Sequence, residues 1–245
     1  MKSKTYRKGL FAIVTAVGVA SFALPAEAQF HPSFYGSAEA DTRDSQFYLL
    51  GTYVGVGGFG WSPYLNANAY LLDYSVLDTK QTLSAVSPTV GLAYAARNRG
   101  VSFGVGYAWV RDPNPGAPGA EGGGANGVTA SFGAYRRGRG RRPLDTQLLS
   151  NYNFGSQYVW ARGRGSVPFG TSTKHPARVG LEVVGQGGGK DGSTSSTFEV
   201  GPTYEYAWTP NLRTTAAVGY KNVGASFLSN RESAAYFKLE FSLSP

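Results

Sequence analysis

The chain has 245 residues, 42% of them hydrophobic and 14% aromatic, with 34 glycines, no cysteine and a formal net charge of +8. The missing cysteines exclude a disulfide framework and thiolate metal sites, and no cofactor or metal is expected. Beyond the N-terminal leader no stretch approaches the roughly 18 apolar residues of a transmembrane helix, so a membrane-spanning chain must close its sheet, the only other way to satisfy every backbone group in hydrocarbon.

Lys2, Lys4, Arg7 and Lys8 precede an apolar run from Leu10 to Leu24, which ends at Pro25 and the small-x-small site Ala26-Glu27-Ala28. This predicts a cleaved secretory signal peptide over 1–28 and a mature unit over 29–245. Cleavage leaves 245 − 28 = 217 residues with net charge +8 − 4 + 1 = +5.

Alternation and turn residues predict an all-β chain: a transmembrane antiparallel barrel of about twelve strands, within roughly 10–14. Strands are expected at 33–40 and 45–56, then at 60–75. In the third, Tyr64, Asn66, Asn68 and Tyr70 oppose Leu65, Ala67, Ala69 and Leu71.

The clearest pattern is the hairpin Thr89–Arg111. Val90, Leu92 and Tyr94 alternate with small residues before the turn 97–100; Val101, Phe103, Val105, Tyr107 and Trp109 alternate with Ser102, Gly104, Gly106 and Ala108 after it. Period two puts the greasy side chains on one face. The other face is small and not charged, unlike a soluble sandwich, and Tyr107 and Trp109 stand where a spanning strand places interfacial aromatics.

Residues 112–126 are too rich in Pro and Gly to pack and predict a mobile surface loop. Further strands are expected at 127–137, 146–154, 157–169, 177–186, 194–208, 212–222 and 233–243, with a second flexible loop at 187–193. With both termini in the periplasm, long connections after strands three, five, nine and eleven face outward. Short ones after two, four and ten face inward, the asymmetry of an outer-membrane barrel.

The inward parity of the second half is charged: Arg162 and Arg164, Glu182, Glu199 and Glu205, Arg213, Lys238 and Glu240. Signs alternate between neighbouring strands, which predicts ion pairs bracing the wall or a polar path for a hydrophilic chain. As glycosidase acids Glu199 and Glu205 are unsuitable: six residues on one strand span roughly 20 Å, against the roughly 5–9.5 Å such a pair needs. Glu182 and Glu199 could face each other across a hairpin, but Arg162 and Arg164 lie beside them. An esterase would need a serine near a histidine base, and only His31, near the mature N-terminus, and His175, in a Lys-His-Pro turn, exist.

The match to G-x-G-x-x-G at 55–60 is followed by Trp61-Ser62-Pro63 and predicts a hairpin turn, not a dinucleotide-binding helix. The tract Arg136, Arg137, Arg139, Arg141 and Arg142 has the composition of a nucleic-acid arm. Behind a signal peptide no nucleic acid is available, so a solvated turn, anionic head groups, polysaccharide or a periplasmic protein are the partners to weigh.

Phe34-Tyr35-Gly36-Ser37-Ala38-Glu39-Ala40-Asp41 leading into Phe47-Tyr48-Leu49-Leu50-Gly51, the end Leu71-Leu72-Asp73-Tyr74, and Ser150-Asn151-Tyr152-Asn153-Phe154 with Tyr158-Val159-Trp160-Ala161-Arg162 and Gly180-Leu181-Glu182 resemble the BcsS-type outer-membrane barrels of bacterial cellulose biosynthesis. The resemblance implies a non-enzymatic accessory of exopolysaccharide production in the outer membrane of a Gram-negative bacterium, with Trp160, Arg162 and Glu182 as scaffold or lumen groups. Its expected partners are outer-membrane lipid and a polysaccharide chain or other secretion-system components.

The candidate lumen set is therefore Tyr64, Asn66, Asn68, Tyr70, Trp160, Arg162, Arg164, Glu182, Glu199 and Arg213, with no catalytic residues. A passive diffusion channel or structural surface barrel, an outer-membrane lipid hydrolase and a soluble periplasmic barrel are the competing readings.

Overall fold

The computed structural model describes residues 30–56, 58–76, 79–111, 125–138, 143–170, 175–190, 193–225 and 230–244. The expected signal peptide and most of the 112–126 loop lie outside them. Twelve strands follow in order: β1 (Phe30–Asp41), β2 (Gln46–Val56), β3 (Gly60–Val76), β4 (Thr79–Ala96), β5 (Arg99–Arg111), β6 (Gly127–Arg136), β7 (Asp145–Asn153), β8 (Tyr158–Phe169), β9 (Ala177–Lys190), β10 (Ser193–Ala207), β11 (Leu212–Ala225) and β12 (Glu232–Leu243). Each pairs antiparallel with its sequence neighbours, and β1 pairs with β12 through Ser37↔Glu240 and Glu39↔Lys238, so the sheet is a closed barrel.

Period two sorts the side chains as the alternation predicts. Val90, Leu92, Phe103, Val105, Phe237, Leu239 and Phe241 are exposed on the outer wall, while Thr129, Glu182, Lys221 and Lys238 are buried within. Aromatic pairs sit at both ends of the outer band. Tyr107 and Trp109, 5.0 Å between ring centroids, mark one end; Trp61 with Tyr94 at 5.4 Å, and Tyr206 with Trp208 at 4.8 Å, mark the other.

The end that carries the start of β1 and the finish of β12 also carries the connections 57–59, 97–98, 137–144, 170–176 and 208–211. At the opposite end β3–β4 and β9–β10 run on as long hairpins. Here the expectation of long loops after strands three and nine is overturned: only 77–78 and 191–192 separate those strands. Thr79 to Pro88 is strand, paired from Val76↔Thr79 to Ala67↔Pro88, and the Gly187–Ser193 segment is ladder up to Lys190↔Ser193. Backbone pairing does not require an apolar face, and Leu72, Tyr74 and Leu83 form a small buried cluster inside the β3–β4 extension. The β4–β5 ladder does lapse between Val86↔Trp109 and Thr89↔Gly106, where Pro88 has no N–H to give.

The glycine motif at 55–60 is a turn, as expected. Gly55 still pairs with Tyr64, and Gly60 opens β3 with φ of 99°, a conformation that a β-carbon disfavours.

Candidate functional site: the barrel interior

The inner wall divides into a neutral half and a charged half. On the neutral side Tyr35 lies across β2, donating from its hydroxyl to Asn68 Oδ1 on β3 at 2.5 Å. Asn68 Nδ2 donates to Asn66 Oδ1 at 2.7 Å, and Asn66 Nδ2 donates back to the Tyr35 oxygen at 2.7 Å. The three form a closed ring of hydrogen bonds.

Such a crossing requires that nothing project from the strand beneath. A Cβ on Gly51 would stand 2.3 Å from the Tyr35 ring. Tyr64 repeats the arrangement, lying over Gly91 of β4 and Gly104 of β5, where a Cβ would meet it at 2.5 and 2.3 Å, and reaching Ser131 of β6 at 3.5 Å. Tyr135 covers Gly100, and Tyr236 covers Gly219 and Gly201. The small residues of the inward parity are thus seats for tyrosines from nearby strands, and Tyr53 stacks on Tyr64 at 5.1 Å.

The charged half is built by β8 to β12 and β1. Arg164 faces Glu182 in register; its Nε donates to Glu182 Oε2 at 3.0 Å and its Nη2 to Glu240 Oε2 at 2.6 Å. Arg162 Nη1 donates to Glu240 Oε1 at 2.6 Å and its Nη2 to Gln147 of β7 at 3.2 Å. Lys238 Nζ donates to Glu182, whose side chain is wholly inaccessible. A second group surrounds Lys221, which contacts Glu39 at 3.0 Å, Asp41 at 3.3 Å and Glu199 at 3.4 Å.

β8 and β12 are four strand positions apart, roughly 19 Å along the wall. The Arg162–Glu240 and Arg164–Glu240 bonds therefore run through the lumen, not along its lining. Arg162 and Arg164 are 14% and 12% exposed and Glu240 16%, so this cross-brace fills the interior where it passes.

Of the sequence-predicted set, Asn66 and Asn68 meet in the ring with Tyr35, Tyr64 lies on the same neutral side but reaches toward β6, and Arg162, Arg164 and Glu182 meet in the brace. Trp160 lies under Arg162, whose guanidinium carbon is 5.9 Å from the ring centroid. Glu199 belongs to the Lys221 group. Glu182 and Glu199 do not face each other, because Glu182 is opposite Gly201 and Glu199 is opposite Val184. Tyr70 packs against Phe47 at 6.1 Å, near the Leu72 cluster and away from the ion pairs. Arg213 stands apart, bonding Glu205 at 3.1 Å.

Tyr35, Glu39, Asp41 and Lys221 belong to the interior but escape the sequence reading. For the first three the signal is the inward parity of β1, Ser33, Tyr35, Ser37, Glu39 and Asp41, blurred by Gly36, Ala38 and Ala40 on the outer side; for Lys221 it is the shared parity with Arg213 on β11. The ring of His175 stacks at 6.1 Å on Tyr206, a residue of the outward parity of β10, so this histidine lies away from the interior cluster. His31 pairs with Gly55 through the backbone.

The chain matches no protein-family model and no curated protein. Among solved structures it is similar to LpxR from Salmonella typhimurium, at 10% identity and TM-score 0.52 over 86% of this chain and 99% of the other. The beta domain of the Bordetella autotransporter BrkA gives 8% identity and TM-score 0.50 over 89% and 99%. The KdgM porin gives 12% identity and TM-score 0.46 over 87% and 99%. At these identities the likeness is one of fold, that of the outer-membrane β-barrels.

Proposed function

We propose that the chain is a non-enzymatic outer-membrane barrel that serves exopolysaccharide production of the cellulose type as an accessory in the membrane, not as the conduit for the polymer. The observation that carries the second half is the cross-brace: Arg162 and Arg164 reach Glu240 through the lumen, and Glu182 beneath them is inaccessible. A polysaccharide chain threading the barrel would have to part these pairs. The first half is supported by the resemblance of 34–41, 47–51, 71–74, 150–154, 158–162 and 180–182 to the BcsS-type barrels.

The arginines and asparagines expected to greet sugar hydroxyls are already occupied. Both arginines hold carboxylates, and Tyr35, Asn66 and Asn68 satisfy one another. The interior thus acts to stiffen the wall, and contacts with other components fall to its rims and loops.

Two measurements test the halves separately. Planar-bilayer recordings of the purified barrel are expected to show near-background conductance, rising in Arg162→Ala/Arg164→Ala; a stable large conductance in the unaltered protein would favour a diffusion channel. Deleting the gene is expected to lower exported polymer, and unchanged output would remove the accessory role.

A further inference from the structure

Two basic turns distant in sequence come together at the end of the barrel that carries the chain termini. Arg97 lies in the β4–β5 connection and Arg99 opens β5, while Arg136 closes β6 and Arg137 starts the β6–β7 connection; all four side chains are exposed. The ladder sets Arg99 directly opposite Arg136, and Arg137 donates its backbone N–H to the Asn98 carbonyl at 2.7 Å, tying one turn to the other.

Like charges facing across a strand pair repel. Among the described residues no carboxylate lies within ion-pair distance of Arg99, Arg136 or Arg137; nearby Asp145 is engaged by Arg178 at 3.1 Å and by the Gly138 N–H at 2.6 Å. The described residues thus leave this exposed pair of like charges open to an anion.

Its position specifies which kind. Arg99 continues the outward parity of Val101, Phe103 and Val105, and Arg136 that of Phe132 and Ala134. Both emerge on the outer wall just past the apolar band, next to Tyr94, which opposes Val101, and its ring partner Trp61. In an outer-membrane barrel the termini and short turns face the periplasm, so this is the headgroup level of the inner leaflet. Guanidinium forks suit phosphate oxygens, and aromatic rings suit the same layer.

We infer that Arg99 and Arg136, with Arg137 at the margin, form a binding site for an anionic phospholipid headgroup of the periplasmic leaflet. The site is continuous with the lipid-facing wall, so the bound lipid keeps its chains beside Val101 and Phe132 while its phosphate bridges the two guanidinium groups.

The test is native mass spectrometry of the folded barrel, released from neutral detergent after incubation with equimolar phosphatidylglycerol and phosphatidylcholine. The unaltered protein is expected to retain phosphatidylglycerol preferentially. Arg99→Gln/Arg136→Gln is expected to lower that preference roughly 10- to 30-fold, while Arg99→Lys/Arg136→Lys keeps part of it and Arg231→Gln at the opposite rim leaves it unchanged. Heat-modifiable migration establishes that each variant is folded. Equal retention of both lipids, a preference untouched by the double glutamine variant, or one abolished by soluble glycerol phosphate would each overturn the assignment.

Discussion

Arg162 on β8 and Glu240 on β12 are joined at 2.6 Å with three strands between them along the wall. Neighbouring strands exchange ion pairs through register alone, but this pair depends on the barrel closing with the right stagger. It couples the two halves of the sheet.

Removing one member of a largely buried pair leaves the other uncompensated, at a cost of about 3–5 kcal/mol. Glu240→Ala is expected to lower unfolding stability in phospholipid vesicles by about that amount, since it takes the close carboxylate from Arg162, leaves Glu182 3.8 Å away, and makes Arg162, Arg164 and Lys238 share Glu182 alone. In a urea double-mutant cycle, Arg162→Ala/Glu240→Ala should cost less than the sum of the single changes. Strict additivity would mean that the two side chains do not interact in the membrane.

The tyrosine seats make a rescue prediction. The nearest atoms to a Cβ on Gly104 all belong to side chains, first the Tyr64 hydroxyl at 2.3 Å. Gly104→Ala is therefore expected to destabilise the barrel by about 1–3 kcal/mol through overpacking, and adding Tyr64→Ala should recover part of the loss. Gly91→Ala should not be rescued in the same way, because its Cβ would also stand 2.2 Å from the Phe103 carbonyl oxygen.

Much of this architecture was legible in the chain. The period of two identified the outward face of β5 and β12 and with it the inward placement of Lys238, and the charged parity of β8 and β9 did the same for Arg162 and Glu182. The hairpin extensions were not legible, because beyond the apolar band Thr79–Ser87 has only Leu83, Ala85 and Val86 as apolar residues, split between the two faces, and Gly187–Gly189 has none but glycine; the partner backbone holds them. Nor could alternation show that Glu240 meets Arg162, since parity fixes which face a side chain takes and closure fixes what it meets there. The glycines of the inner face looked merely small until Tyr35 and Tyr64 were placed across them.

The hydrogen-bonded ring is the neutral counterpart of the brace. Tyr35→Phe removes one donor and one acceptor, leaving Asn68 Oδ1 and Asn66 Nδ2 each short of a partner. A loss of about 1–3 kcal/mol is expected, measured by tryptophan-monitored urea unfolding. Asn68→Ala should show a comparable loss, and combining the two should add little, because both break the same ring. Independent, additive losses would show that the ring is not a unit.

Depth along the outer wall gives the last expectation. Val105 lies at the centre of the outward run of β5 and is 60% exposed, while Val101 is two places from Arg99 at the rim that carries the chain termini. An arginine at the bilayer midplane costs about 2–4 kcal/mol and one near the interface about 0–1. Val105→Arg should therefore lower folding yield and stability in vesicles, whereas Val101→Arg should be nearly neutral and should add a third guanidinium beside the Arg99–Arg136 pair. Equal costs at the two positions would mean that the apolar band is not where the membrane sits, and a smaller cost at Val105 would mean that this face of the barrel is not in lipid at all.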